Sequence, residues 1–202
     1  MIKINDKLCN NEKTREELLN VISIEKTRNE DFYNIVPIID KCFGINSYQE
    51  TIKQLLYSEA DLENSVKLID KTNGDIYGLL IFSKYKISIG TPIKFINNEL
   101  SDFLDNYSQI NGYAFIIDER LRGTSLDKKM MLFNKEYLES FDFIWCAVDI
   151  DLKTHNYWKR LGFEELIKIK EAIFYIKPKS LNIIYDIFII KSLREYYEKN
   201  YS

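Results

Sequence analysis

Hydrophobic positions along this chain switch repeatedly between a period near two and a period near 3.6. Thr14 and Glu17 have capping-box spacing, which marks a helix start. Val21, Ile22 and Ile24 then predict a short strand over Asn20–Glu25. Asp31 is placed to cap a helix running toward Phe43 and ended by Gly44, and Pro37 inside it predicts either a kink or a later start. Ile52, Leu55 and Leu56 predict a second helix over Tyr48–Tyr57. The β-rich runs Val66–Asp70 and Ile76–Phe82 flank Thr72-Asn73-Gly74-Asp75, and Asn-Gly between two such runs predicts a hairpin. Between Lys86 and Asn106 the pattern is mixed. It holds an alternating run, Pro92 and a helix near Glu99–Asn106.

The second half reads more clearly. Gly112–Asp118 is an apolar strand. Leu126, Met130, Met131, Phe133, Tyr137 and Leu138 recur at helical spacing and predict one helix over Arg122–Glu139. Phe143–Val148 is almost continuously apolar, as in a strand buried on both faces. Thr154–Leu161 predicts a short helix stopped by Gly162, Phe163–Ile169 and Ala172–Ile176 a strand pair, and about Ile183–Lys199 a terminal helix. Strand, helix, strand in the middle implies a parallel pair joined by a crossover, and the hairpins add antiparallel strands. The expected class is α/β: a mixed, mostly antiparallel sheet with helices on both faces and a C-terminal helical extension over 179–202. At 202 residues, with 46% hydrophobic and 29% charged residues, a single domain with a sizeable core is expected.

Charge and chemistry narrow the function. Lys and Arg number 28 against 31 Asp and Glu, so the net charge is −3 and there is no broad nucleic-acid footprint. Cys9, Cys42 and Cys146 lack metal spacing and their odd number argues against a disulfide framework, so a reducing, cytoplasmic setting and no metal site are expected. A single histidine, His155, excludes a His-based metal cluster and argues against a Ser-His-Asp triad. The N-terminus lacks a signal-peptide core, and Leu181–Ile190 is too short and too interrupted for a membrane span. The informative segment is Phe115–Leu132. An apolar strand ends at Asp118, a turn carries Arg120, Arg122 and Gly123, and a helix follows. Free amides at a helix start, beside two arginines, suit a phosphate. The same pattern also suits an ordinary strand-turn-helix with solvated arginines.

A later segment, His155-Asn-Tyr-Trp-Lys-Arg-Leu-Gly-Phe163, tips that balance. Together the two segments resemble the GNAT superfamily of acyl-CoA-dependent N-acetyltransferases over about Val21–Lys177. The resemblance implies a splayed central pair of parallel strands, acetyl-CoA as co-substrate, and transfer of its acetyl group to a primary amine of a small molecule or peptide. It implies that the backbone of Phe115, Ile116, Ile117 and Asp118 runs beside pantetheine. Arg122 then takes the family's Arg/Gln place, followed by Gly123, Thr124, Ser125, Leu126 and Asp127 around the pyrophosphate. A register starting at Arg120 would instead put Lys128 in a core position. Ser125 and Asp127 stand where glycine or alanine is usual, Asp151 where an asparagine contacting the cofactor is frequent, and Trp158 where the family's tyrosine acid commonly sits. These departures motivate a rival reading, a member that binds acyl-CoA without turnover.

Candidates for proton handling are Asp149, at the end of the second central strand, and Tyr157 and His155. Each also has a plain structural role open to it: strand end, packing and surface. The resemblance places the acceptor at about Asn29–Tyr57 and Lys84–Asn111. The apolar face of the terminal helix (Ile183, Ile184, Ile187, Phe188, Ile190) should pack on the sheet, cover an edge strand or meet a second copy of the chain.

Overall fold

The computed structural model describes residues 12–43, 60–90, 97–150, 154–169 and 172–201. The helix predicted over Tyr48–Tyr57, the alternating run near Pro92, Gly44 and Asp151 lie outside them. Seven strands form one hydrogen-bonded sheet: β1 Ile22–Lys26, β2 Val66–Asp70, β3 Ile76–Ser83, β4 Gln109–Ile117, β5 Phe143–Asp149, β6 Glu164–Lys168 and β7 Ala172–Pro178. Their order is β1-β2-β3-β4-β5-β7-β6. Pairs β1–β2, β2–β3, β5–β7 and β6–β7 are antiparallel and β4–β5 is parallel. The flanking helices are α1 Arg15–Val21, α2 Phe32–Phe43, α3 Ile87–Gly90, α4 Asn98–Asp105, α5 Leu126–Phe133, α6 Lys135–Glu139, α7 His155–Arg160 and α8 Leu181–Tyr201. The expected mixed α/β class is the observed one.

The chain divides into two compact units, Met1–Lys84 with Gly112–Tyr137, and Tyr85–Asn111 with Leu138–Ser202. In the first, the Thr14–Glu17 capping box forms as read: the Thr14 hydroxyl accepts from the Glu17 amide at 3.3 Å and the Glu17 carboxylate from the Thr14 amide at 2.6 Å. The helix it starts persists to Val21, so β1 begins two residues later than the apolar pattern suggests. Helix α2 runs through Pro37 after a short 3-10 turn at Asn29–Asp31. Pro37 is exposed, so the carbonyl left without its helical donor lies where water can serve it. The apolar stripe Ile35, Val36, Ile39 and Cys42 packs with Ile76, Leu79 and Ile81 of β3 and Ala114 and Ile116 of β4. Buried Lys67 ion-pairs with Asp31 at 2.7 Å. The hairpin closes through Gly74 at φ +80°, a conformation that favours glycine. Gly78 answers a different need, because a β-carbon there would stand 2.8 Å from Leu68 Cδ1.

The second unit holds its own core. Phe143 and Trp145 of β5, Phe174 and Ile176 of β7 and Leu166 of β6 pack with Ile87, Leu100 and Leu104 and with Ile183 and Ile187 of α8. These are alternate strand positions facing one helical layer, as strand geometry requires. Gln109 is buried with both ends of its amide used: its oxygen accepts from the Ile87 amide at 2.8 Å and its nitrogen donates to the Leu104 carbonyl at 3.2 Å. The single helix expected over Arg122–Glu139 is a correction. A 3-10 turn occupies Glu119–Leu121, α5 starts only at Leu126, and Asn134 separates it from α6. Asn134 is buried and its side-chain amide donates to the Asn64 carbonyl, a tertiary bond that interrupts a helix the apolar period alone would continue.

Candidate functional site

In the first unit, β4 delivers the chain to the turn that the sequence singled out. Ile116 is core, packed in the α2 cluster, while Phe115 and Ile117 are half-buried. The Asp118 amide donates to the Tyr77 carbonyl at 2.9 Å, so the strand stays anchored to β3 up to its last residue. The Asp118 carboxylate then caps the 3-10 turn by accepting from the Arg120 amide at 3.1 Å. It is fully buried and held by the Arg120 guanidinium through Nε at 2.8 Å and Nη2 at 2.9 Å. Arg120 also lies over the Tyr77 ring, 5.3 Å from its centre, and donates to the Lys13 carbonyl at 3.1 Å. Two arginines were expected to face a phosphate. Arg120 is not one of them, because its charge is spent on a buried carboxylate.

Arg122 is exposed and reaches back to the Ile117 carbonyl through Nε at 3.3 Å. Its own carbonyl accepts from Arg15 Nη2 at 3.2 Å. The cation that joins Arg122 at this bend is therefore Arg15 of α1, which no spacing rule associates with a turn 107 residues away. Gly123 has φ +73° and Ser125 has φ +66°, the left-handed region in both cases. Thr124 donates its hydroxyl to the Leu121 carbonyl at 2.5 Å. Ser125 occupies the N-cap of α5 yet makes no side-chain cap bond. Leu126 is buried and anchors the helix, Asp127 is half-buried in its first turn, and Lys128 and Lys129 are exposed. The Lys129 amide is bonded to the Ser125 carbonyl at 3.1 Å, which leaves the amides of Leu126, Asp127 and Lys128 without an intrahelical acceptor. Free donors at the positive end of a helix dipole are chemically suited to an anion. Asp127 is favourable to the dipole and unfavourable to that anion.

In the second unit, the parallel ladder comprises Gln109–Phe143, Ile110–Ile144 and Asn111–Trp145. At its last pair the Asn111 side chain donates to the Trp145 carbonyl at 3.4 Å. Strand β4 continues to Ile117, while β5 continues against β7 as far as the Asp149–Ala172 pair. Asn111 is a residue that sequence reasoning missed, since the predicted strand began at Gly112. A polar Asn immediately ahead of an apolar run was the available signal. Asp149 is exposed at the end of β5. Trp158 sits edge-on to Phe163, ring centres 5.2 Å apart, and to Tyr157 at 5.6 Å. Tyr157 is half-buried with its hydroxyl oxygen shielded from solvent.

His155 is more constrained than a surface residue. Its Nε2 lies 3.0 Å from the Ile150 carbonyl and its Nδ1 3.0 Å from the Tyr175 hydroxyl. A carbonyl only accepts, so Nε2 donates to Ile150, while Nδ1 and the Tyr175 hydroxyl share the second bond. Tyr175, fully buried and pushed upward in pKa mainly by that burial, was not singled out, because one tyrosine in an apolar strand looks like core. Burial also pushes the Cys146 thiol up, which keeps it protonated and removes it as a nucleophile.

No protein-family profile and no curated sequence matches the chain. Solved structures do. A Pyrococcus horikoshii OT3 protein, PH1933, aligns with TM-score 0.57 at 15% identity over 79% of this chain and 99% of its own. The PaiA N-acetyltransferase of Thermoplasma acidophilum, in complex with coenzyme A, gives 0.52 at 10% identity over 78% and 98%. The ribosomal-protein-S18-alanine N-acetyltransferase of Escherichia coli gives 0.53 at 13% over 79% and 94%. The chain has the GNAT fold. Within that fold, Arg122–Asp127 spans the bend after β4 and the start of α5. The α8 extension follows β7 at the end of the sheet's chain order. No helix among the described residues is long and apolar enough to cross a membrane.

Proposed function

We propose that the chain is a GNAT-superfamily N-acetyltransferase that moves an acetyl group from acetyl-CoA to a primary amine. The observation that carries this reading is the bend at the end of β4. Two left-handed residues, Gly123 and Ser125, lead directly into the first-turn amides of α5 that lack an intrahelical acceptor, with Arg122 and Arg15 beside them. Those groups fit a diphosphate. The similarity to a coenzyme A complex supports the same ligand. When bound, acetyl-CoA supplies an activated thioester whose carbonyl carbon the amine nitrogen attacks, with loss of the thiol. This chain's share is to hold the diphosphate at residues 122–128 and to lay the backbone of Phe115 and Ile117 beside the pantetheine arm. It must also take a proton from the ammonium, for which Asp149 is the candidate base and Tyr157 a second candidate for proton transfer. The acceptor is a small-molecule or peptide amine, and the setting is the cytoplasm.

A second reading, acyl-CoA binding without turnover, is favoured by one feature. Trp158, at the place of the family's tyrosine acid, is engaged edge-on with both Phe163 and Tyr157, and an indole N–H is not a usable acid. Thermal melting with and without acetyl-CoA tests the binding common to both readings, since a ligand of the folded state raises the apparent melting temperature. Thiol release over a panel of amines separates them. Arg122→Ala is expected to weaken acetyl-CoA by roughly 1.5–3 kcal/mol for one charged contact. Unchanged affinity in that variant would remove the bend from the binding site.

A further inference from the structure

The last helix presents apolar side chains on two faces, and among the described residues only one of these faces is buried. Ile183 and Ile187 are buried in the second unit's core, with Ile190 packed partly against it. Leu181, Tyr185, Phe188 and Ile189 are 70%, 66%, 68% and 53% exposed. At 100° per residue these four fall within about 100° of arc, one continuous stripe over the first two turns and a half. Scattered exposed hydrophobics need no account, but a stripe of two aromatics and two aliphatics on a helix already committed to a core on its other side does.

We infer that this stripe is the interface of a homodimer in which α8 packs antiparallel against α8 of a second copy. Three observations point to a second copy. The first is area. At roughly 150–250 Å² for a large aromatic side chain, exposures of one-half to seven-tenths leave on the order of 500 Å² per chain. Two copies then bury about 1,000 Å², the lower bound for a specific interface. The second is self-complementarity. Tyr185, Phe188 and Ile189 fill the C-terminal half of the stripe, and a two-fold axis between Tyr185 and Phe188 sets Tyr185 of one chain against Phe188 and Ile189 of the other. Opposed helix directions also set the two dipoles favourably. The third concerns the flanks. Asn182 and Ser192 are uncharged, Asp186 is acidic, and Lys191 is turned to the Leu166 carbonyl. A helix bound to an anionic membrane surface needs basic flanks, and among the described side chains beside this stripe the one base, Lys191, is already bonded.

The test uses the full-length chain in sedimentation equilibrium. The expected species is about twice 24.0 kDa at micromolar concentration. Phe188→Glu and Tyr185→Lys should each shift the dimer toward monomer by at least a hundred-fold in dissociation constant, with helical circular dichroism retained. Mixing the two variants should restore a dimer, because the antiparallel pairing brings the new opposite charges together. Phe133→Glu, at an exposed aromatic of α5, should leave the dimer intact. A wild-type chain that stays monomeric overturns the inference. So does a dimer that survives Phe188→Glu or is lost in Phe133→Glu. Failure of the mixture to reassemble overturns the antiparallel arrangement. Acetyl-CoA plays no part in any of these readouts, so they stand apart from the transferase assignment.

Discussion

Ser125 holds the conformation that sequence comparison would assign to glycine. A non-glycine residue in the left-handed region costs roughly 1–2 kcal/mol, and a serine cap normally recovers some of that through its hydroxyl. Here the hydroxyl makes no cap bond, so the strain is not offset locally. Ser125→Gly should therefore stabilise the chain by about 0.5–1 kcal/mol, after the larger unfolded-state freedom of glycine is charged against it. Ser125→Val should cost more than 1 kcal/mol, since a β-branched side chain tolerates this conformation least. Urea denaturation of the two variants gives the comparison, and a Val variant as stable as the Gly variant would mean the bend is not held in the left-handed region. A residue can thus sit in the expected place and still hide its strain from the sequence, because strain depends on a dihedral angle and not on composition.

Among the elements, the Glu119–Leu121 turn shows most directly how the candidate site is built. Asp118 and Arg120 form a buried, doubly hydrogen-bonded pair that fixes where β4 ends and therefore where the first amides of α5 point. Removing one partner strands a charge in a poorly solvated place. Asp118→Ala should cost roughly 3–5 kcal/mol, while Asp118→Ala with Arg120→Met should cost less than the sum of the single changes. A double-mutant cycle in urea measures this, and additive effects would mean the pair is not coupled. The sequence made the elements legible wherever local chemistry decided them: the Thr14 capping box, the Asn73-Gly74 hairpin, the apolar β5 and the strand-bend-helix at Asp118. It failed where a distant group decided. Asn134 breaks a helix by donating to Asn64, Arg120 is withdrawn from the bend by Asp118 and Tyr77, and Arg15 enters from the first helix. His155 was visible as chemistry, but its two bonds depend on a strand and a carbonyl that no spacing rule connects to it.

For the whole molecule, buried ionisable groups set a window of stability with two edges. Burial by itself would raise the Asp70 carboxyl, but bonds from Lys13 and from the Thr72 amide and hydroxyl outweigh it and leave the group below its ordinary value. Asp61 behaves alike: burial raises it, and bonds from Tyr137, Asn64 and Lys84 bring it lower. Asp142 is lowered chiefly by the Ser108 hydroxyl and amide. A carboxyl depressed in the folded state stabilises above its unfolded pKa, near 4, and that contribution is lost as pH falls through the folded value. At the other edge, burial raises the Cys146 thiol, and burial followed by the bond to Asp61 raises Tyr137. Groups held neutral by the fold ionise on unfolding once pH exceeds their unfolded values, near 8.5 for Cys and 10 for Tyr, so stability falls there as pH rises. Urea midpoints should therefore be nearly flat from about pH 5 to 8, drop below about pH 4, and drop again above about pH 9. Asp70→Asn should lower the plateau and shallow the acid limb, because it removes the depressed carboxylate and its bond to Lys13 together. Cys146→Ala should shallow the alkaline limb by up to about 1.4 kcal/mol per pH unit, one proton's worth. An alkaline limb of unchanged slope in that variant would show that the thiol ionises as readily in the folded chain as in the unfolded one.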